Sequence, residues 1–91
     1  MNAGARERFI ASMVDWLNRR FAPEGRLISS ETPLFEGGLI NSIRILEIIA
    51  WTERAVGHRI PDSSIRMDNF RTVERIADAF VTEEGELRAA S

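Results

Sequence analysis

The chain has 91 residues, of which 44% are hydrophobic and 29% charged, and its formal net charge is −2. This length and composition predict one folded domain over residues 1–91, with a core at about 5–82 and a frayed tail at 83–91. The chain contains no cysteine, which excludes disulfides and thiolate metal sites, and its net negative charge argues against nucleic-acid partners.

Residues 4–21 predict a first amphipathic helix. Apolar residues recur there at spacings of three and four, and charged residues such as Arg8, Asp15 and Arg19 interrupt them. The interruptions exclude a signal peptide and a membrane span, so we expect a cytoplasmic protein with no membrane partner. Pro23 and Gly25 are expected to end the helix.

A long connection follows as far as residue 41. It is too apolar for a free linker, so we expect it to lie across the helices and pack against them. The apolar residues in this connection are Leu27, Ile28, Leu34, Phe35, Leu39 and Ile40.

Residues 42–56 predict a second helix that ends at Gly57. One stripe of this helix should face the core, and it contains Ile45, Ile48, Ile49, Thr52 and Val56. The opposite face contains Ile43, Glu47, Ala50 and Arg54, with Leu46 and Trp51 at its borders. A face with apolar residues at its edge indicates a surface that another protein covers.

The C-terminal half predicts a turn at residues 60–64, a short helix at 65–70 and a final helix with Thr72 as its N-cap. The final helix carries Val73, Ile76, Ala77, Phe80 and Val81 at helical spacing. No segment has the alternating pattern of a strand. The prediction is an all-α four-helix bundle, with three longer helices, a short third helix and a long loop between helices 1 and 2.

Few residues suggest catalysis. His58 is the single histidine and has no companion ligands, so no metal site is predicted, and a solvated position near a helix C-terminus explains it better. Gly37 and Gly38 lack the lysine and hydroxyl residue of a phosphate-binding loop. We predict no catalytic residue.

Ser42 is the residue for which a chemical role competes best with a structural one. Serine is a good N-cap, but Asn41 could fill that position and leave Ser42 exposed in the first turn. A phosphodiester on Ser42 would gain from the helix dipole and from free backbone amides. Gly37 and Gly38 would let the preceding chain turn sharply.

The chain resembles the acyl carrier protein family, which includes peptidyl carrier domains, over residues 9–81. The resemblance is carried by four runs in order, FEGGLINSI at 35–43, LEIIAW at 46–51, GHRIPD at 57–62 and NFRTVERIA at 69–77. Together these runs are far more specific than any one of them.

The resemblance implies that a phosphopantetheinyl transferase attaches a 4'-phosphopantetheine arm from coenzyme A to Ser42, with Asn41 and Ile43 beside it. The thiol of the arm would carry an acyl or aminoacyl group as a thioester between a loading ligase and downstream condensing or transfer enzymes. The protein would be a free-standing, monomeric carrier and not an enzyme. Its partner surface would comprise Ile43, Arg44, Leu46, Glu47, Ala50 and Arg54.

Two features depart from the family pattern. Asn41 stands where the family usually has aspartate, which removes a negative charge but keeps the capping geometry. The second helix mixes Glu47 and Glu53 with Arg44 and Arg54, whereas carriers of bulk fatty acid synthesis resemble one another in a strongly acidic second helix. We therefore expect a specialised pathway that makes a polyketide, a nonribosomal peptide or a modified fatty acid.

Two alternatives remain open. The first is a helical interaction module of carrier-like fold that is never modified. The second is a small hydrolase that uses Ser42 and His58, which is disfavoured because no residue that would orient the histidine is evident.

Overall fold

The computed structural model describes residues 4–21, 27–36 and 40–81, and these residues form an all-α structure without strands. The helices are α1 (Ala5–Arg20), α2 (Arg44–Val56) and α3 (Val73–Phe80), with 3-10 helices at Asp62–Ser64 and Met67–Phe70. Several predicted features lie outside the described residues: the turn at 22–25, the Gly37-Gly38 pair, Leu39 and the tail at 83–91.

Helix α1 confirms the first prediction within one residue at each end. It begins after Gly4, and its buried side chains are Phe9, Met13 and Leu17. Their spacing of four residues places them on one stripe of the helix, which faces the core. At this level the period of the apolar residues was sufficient to predict both the element and its buried face.

Helix α2 ends where the sequence predicts. Gly57 has a φ of 85° and its backbone N–H donates to the carbonyl of Glu53 at 2.9 Å. A left-handed residue that closes the last turn is the usual role of glycine after a helix. Regular α-helix begins at Arg44, two residues later than predicted.

The short third helix is replaced by two 3-10 helices. The predicted helix at residues 65–70 contains only Met67–Phe70 in helical form, and Asp62–Ser64 forms a separate 3-10 helix in the predicted turn. Both are too short for successive α-helical hydrogen bonds, and i→i+3 hydrogen bonds suit such lengths. The all-α class is confirmed, but the described residues contain three α-helices and not four.

Helix α3 has the predicted cap. The hydroxyl of Thr72 accepts a hydrogen bond from the backbone N–H of Arg75 at 3.1 Å. The helix ends at Phe80, so Val81, which we expected within it, is extended. An ion pair between Arg6 and Asp78, with Nε 2.7 Å from Oδ1, ties α1 to α3, and this hydrogen bond raises the pKa of Arg6.

The described part of the long connection packs against the helices, as predicted. Its buried members are Ile28, Leu34 and Ile40. The side chain of Asn18 fixes one of them, because its Nδ2 donates to the carbonyl of Ile28 at 2.9 Å and its Oδ1 accepts from the same residue's N–H at 2.7 Å. Leu27 was expected to pack, but its side chain is 86% exposed.

Aromatic rings join α1 to α2. The indoles of Trp16 and Trp51 stack with centroids 5.6 Å apart, and Phe9 meets Trp51 edge to face at 5.5 Å. Such pairs stabilise a packing contact by about 1 kcal/mol beyond the area they bury. These contacts hold the middle of α2, at Trp51, beside α1.

Among the described helices, none combines the length and the apolar character that crossing a bilayer requires.

Candidate functional site at the start of α2

The chain that leads into α2 is fixed by backbone hydrogen bonds. The N–H of Leu34 donates to the carbonyl of Arg71 at 2.9 Å, and the N–H of Ile40 donates to the carbonyl of Leu34, also at 2.9 Å. Ile40 is only 2% exposed. The residue two positions before Ser42 is therefore anchored in the core and, through Leu34, to the chain just before α3.

Asn41 caps the helix. Its Oδ1 accepts hydrogen bonds from the backbone N–H of Ile43 at 3.0 Å and of Arg44 at 2.8 Å. Its own carbonyl accepts from the N–H of Ile45 at 3.0 Å, which is the first i→i+4 hydrogen bond of the helix. These are the bonds of an N-cap residue, and helix boundaries differ by a residue or two between criteria.

Ser42 is consequently the first residue after the cap. The side chain of Asn41 meets the capping requirement, so the serine hydroxyl is not needed for it. Ser42 is exposed. The arrangement presents a primary hydroxyl to solvent at the positive end of the α2 dipole.

The hydrogen bonds contradict one expectation about this site for two backbone amides. We expected free backbone amides to help hold a phosphodiester on Ser42, but the amides of Ile43 and Arg44 already donate to Asn41. A capping side chain and a phosphate compete for the same N–H groups at a helix N-terminus. The capping side chain of Asn41 occupies these two amides, so they do not donate to a phosphate.

The outward face of α2 is exposed and partly apolar. Ile43 is 72% exposed and Leu46 is 64% exposed, while Ala50 and Arg54 are also exposed. On the opposite side of the helix Ile48 is fully buried. The helical wheel therefore predicted the two faces correctly, although it placed Leu46 only at the border.

Residues of α1 adjoin this face, and the sequence analysis missed them. Nε of Arg20 lies 3.0 Å from Oε1 of Glu47, and its Nη2 lies 3.3 Å from Oε2. The guanidinium of Arg44 lies 5.0 Å from the centre of the buried Phe21 ring, and that of Arg20 lies 5.2 Å from it. Glu47 and Arg44 are thus half-buried against α1, and no local pattern relates residues 27 positions apart.

His58 cannot assist Ser42. Ser42 precedes α2 and His58 follows it, and the 13 residues of the helix span about 20 Å. The imidazole Nδ1 instead lies 3.0 Å from the carbonyl oxygen of Arg59, in an exposed position. Within the described residues no three histidine or carboxylate side chains are grouped as a metal site would require. A hydrolase built on Ser42 and His58 is therefore excluded.

The comparison with protein families agrees with this geometry. The family model for the phosphopantetheine attachment site matches residues 7–80. The chain belongs to this family. No curated protein and no solved structure gives a significant match.

Membership of the phosphopantetheine attachment-site family defines the cofactor. Members carry 4'-phosphopantetheine covalently on a serine, and the carrier domain is not itself catalytic. They interact with phosphopantetheinyl transferases and with biosynthetic enzymes. The residues at the start of α2 fit such a group, because an exposed hydroxyl stands at the helix N-terminus and the adjacent cap is complete without it.

Proposed function

We propose that this protein carries acyl or aminoacyl groups on a 4'-phosphopantetheine arm attached to the hydroxyl of Ser42. One observation carries the proposal: Asn41 caps α2 through two backbone amides and leaves the hydroxyl of Ser42 exposed in the first turn. A serine with no base beside it is a poor nucleophile by itself. An external transferase would supply the activation.

In the attachment step, the oxygen of Ser42 bonds to the phosphorus that carries the pantetheine in coenzyme A. The bond from that phosphorus to the adenosine 3',5'-bisphosphate group breaks, and the serine proton leaves to a base of the transferase. When attached, the arm supplies a thiol that holds cargo as a thioester. The positive end of the α2 dipole favours the negative charge of the phosphodiester by about 0.3–1 kcal/mol.

The backbone around Ser42 is held in place, which suits this role. Ile40 is buried on one side, and on the other the cap fixes Ile43 and Arg44. The backbone that carries the hydroxyl is thus held on both sides of Ser42. Because this backbone is already ordered, less conformational entropy would be lost when a transferase binds the site.

The mixed charge of α2 supports a specialised pathway. Arg44 and Arg54 balance the charges of Glu47 and Glu53, so the helix does not present the acidic surface that carriers of bulk fatty acid synthesis have in common. Partners selected by charge would then be a dedicated loading ligase and dedicated condensing or transfer enzymes.

Mass spectrometry after incubation with coenzyme A and a broad-specificity transferase tests the proposal. We expect the mass of one phosphopantetheine group to be added to the wild type and to Ser12→Ala, an exposed serine of α1. Ser42→Ala should gain nothing. Addition that persists in Ser42→Ala would refute the assignment, and an unmodified wild type would favour an interaction module that never carries the arm.

A further inference from the structure

Segment 30–34 of the long connection is tied to the start of α3. Oγ of Ser30 donates a hydrogen bond to Oε2 of Glu74 at 3.0 Å, and the backbone N–H of Glu74 donates to the carbonyl of Ser30, also at 3.0 Å. Four residues later, the N–H of Leu34 donates to the carbonyl of Arg71 at 2.9 Å. Both ends of the segment are therefore bound to residues at or just before the first turn of α3.

Local hydrogen bonds stiffen this segment. The hydroxyl of Thr32 accepts the N–H of Ser29 at 2.8 Å, and the N–H of Thr32 donates to the carbonyl of Ser29 at 3.2 Å. Pro33 follows, and its ring fixes one backbone angle. Leu34 is fully buried. Little conformational freedom remains between Ser30 and Leu34, so a change at the first residue is felt at the second.

Leu34 connects the segment to the candidate site. Its carbonyl accepts the N–H of Ile40 at 2.9 Å, and Ile40 lies two residues before Ser42. Asn41, which stands between Ile40 and Ser42, is the cap of α2. Covalent and hydrogen bonds thus form a continuous route from Glu74 to the backbone that presents the serine hydroxyl. A route of this kind makes coupling physically reasonable, and experiment has to measure it.

We propose that Ser30 and Glu74 are positioning residues for the attachment of phosphopantetheine to Ser42, and that they act through Leu34 and Ile40. The inference rests on the carrier function proposed above and adds a dependence of the site on the start of α3. When the Ser30–Glu74 bond is lost, segment 30–34 opens more often. The backbone before Ser42 is then ordered for a smaller fraction of the time, and the transferase meets the form that it can bind less often.

Hydrogen exchange tests the coupling without any transferase. Glu74→Ala should raise the exchange rate of the Ile40 amide about fivefold, the factor that the loss of one hydrogen bond of ordinary net strength produces. Ser30→Ala should have the same effect. Glu74→Gln removes the charge but keeps an oxygen that accepts from Ser30, so its exchange rate should stay close to that of the wild type. The amide of Gly57, at the other end of α2, should not change in any of these variants.

Asp78→Ala is the matched control. It removes a carboxylate from the same helix and breaks the ion pair with Arg6, but it leaves the Ser30–Glu74 bond in place. The exchange rate of the Ile40 amide should therefore stay at the wild-type value. Equal acceleration in Asp78→Ala and Glu74→Ala, or acceleration spread evenly over the helices, would mean general destabilisation and would overturn the inference.

Transferase kinetics then separate positioning from stability. With coenzyme A at saturation, the KM for the carrier should rise about two- to fivefold in Glu74→Ala, the upper limit being set by the opening equilibrium, and kcat should stay unchanged. The KM should return to the wild-type value in Glu74→Gln. A wild type that is modified, together with an unchanged KM in Glu74→Ala, would overturn the positioning role alone. A wild type that is not modified would refute the carrier function itself.

Discussion

The side-chain oxygen of Asn41 accepts the backbone N–H of Arg44 at 2.8 Å, across the residue that carries the candidate hydroxyl. This bond, with the second one from Ile43, frees Ser42 from the structural role that serine most often has at a helix start. A helix needs one cap, and here the residue before the serine provides it. Asn41 caps the helix and Ser42 stays exposed, and this difference is the physical basis of the proposed site.

Replacement of Asn41 with alanine should therefore destabilise the protein. The loss of both capping bonds predicts a decrease of about 1 kcal/mol in the free energy of unfolding, measured by urea denaturation followed by circular dichroism. Asn41→Asp should retain the native stability or exceed it slightly, because a carboxylate caps equally well and suits the helix dipole. Equal stability of the alanine variant and the wild type would mean that the cap does not contribute.

The same variants should affect modification differently from stability. We expect Asn41→Ala to slow the attachment of phosphopantetheine at a temperature where the variant is fully folded, because the backbone at Ser42 is then less ordered. Asn41→Asp should be modified at least as fast as the wild type. An unchanged rate of attachment in Asn41→Ala would show that the cap is not needed to present the serine to the transferase.

Gly57 offers a second measurement of a helix end. Its φ of 85° is unfavourable for any residue with a side chain, but a Cβ placed there would meet no atom within 4 Å. Gly57→Ala should thus incur only the conformational strain, about 1 kcal/mol in the free energy of unfolding. Ala55→Gly, on the exposed side of the preceding turn, should cost a similar amount for the opposite reason, the loss of helix propensity.

A decrease well above 2 kcal/mol for Gly57→Ala would contradict the open surroundings of this glycine. It would indicate that the chain after α2 must move to admit the methyl group. The free energies of both variants are obtained from urea titrations monitored at the helical signal.

Much of the fold followed from local patterns. The apolar period of three and four residues gave α1 and the buried face of α2, and Gly57 and Thr72 gave two helix ends. These features depend on residues within one or two turns of each other, which is the range over which a sequence pattern has physical meaning. The predicted short third helix is a 3-10 helix over Met67–Phe70, since a segment of four to six residues can adopt either helical hydrogen-bond pattern.

The candidate site was less predictable where it depends on tertiary contacts. The sequence showed that either Asn41 or Ser42 could cap α2, but only the hydrogen bonds show that Asn41 is the cap. The positions of Arg20 and Phe21 beside α2 follow from how α1 packs, and a long connection separates them from α2 in the chain. No periodicity spans such a separation.

The two faces of α2 predict opposite sensitivities to truncation. Ile48 is fully buried, so Ile48→Ala should lower the free energy of unfolding by about 3 kcal/mol through lost burial and a cavity. Leu46 is 64% exposed, so Leu46→Ala should change it by less than about 0.5 kcal/mol. Both variants remove aliphatic groups from the same helix, two positions apart, so each variant is the control for the other.

Chemical denaturation of both variants checks this prediction. A loss for Leu46→Ala comparable with that for Ile48→Ala would place Leu46 in the core and contradict its exposure.

The Arg20–Glu47 ion pair should contribute little to stability. Its side chains are 54% and 40% exposed, so solvent screens their attraction, and a coupling of about 0.5 kcal/mol is expected from a double-mutant cycle of Arg20→Ala and Glu47→Ala. The cycle is measured by urea denaturation at low and high salt, and the coupling should fall at high salt because the pair is accessible to ions. A coupling above about 2 kcal/mol that salt does not reduce would instead mark a desolvated pair that holds α2 in place.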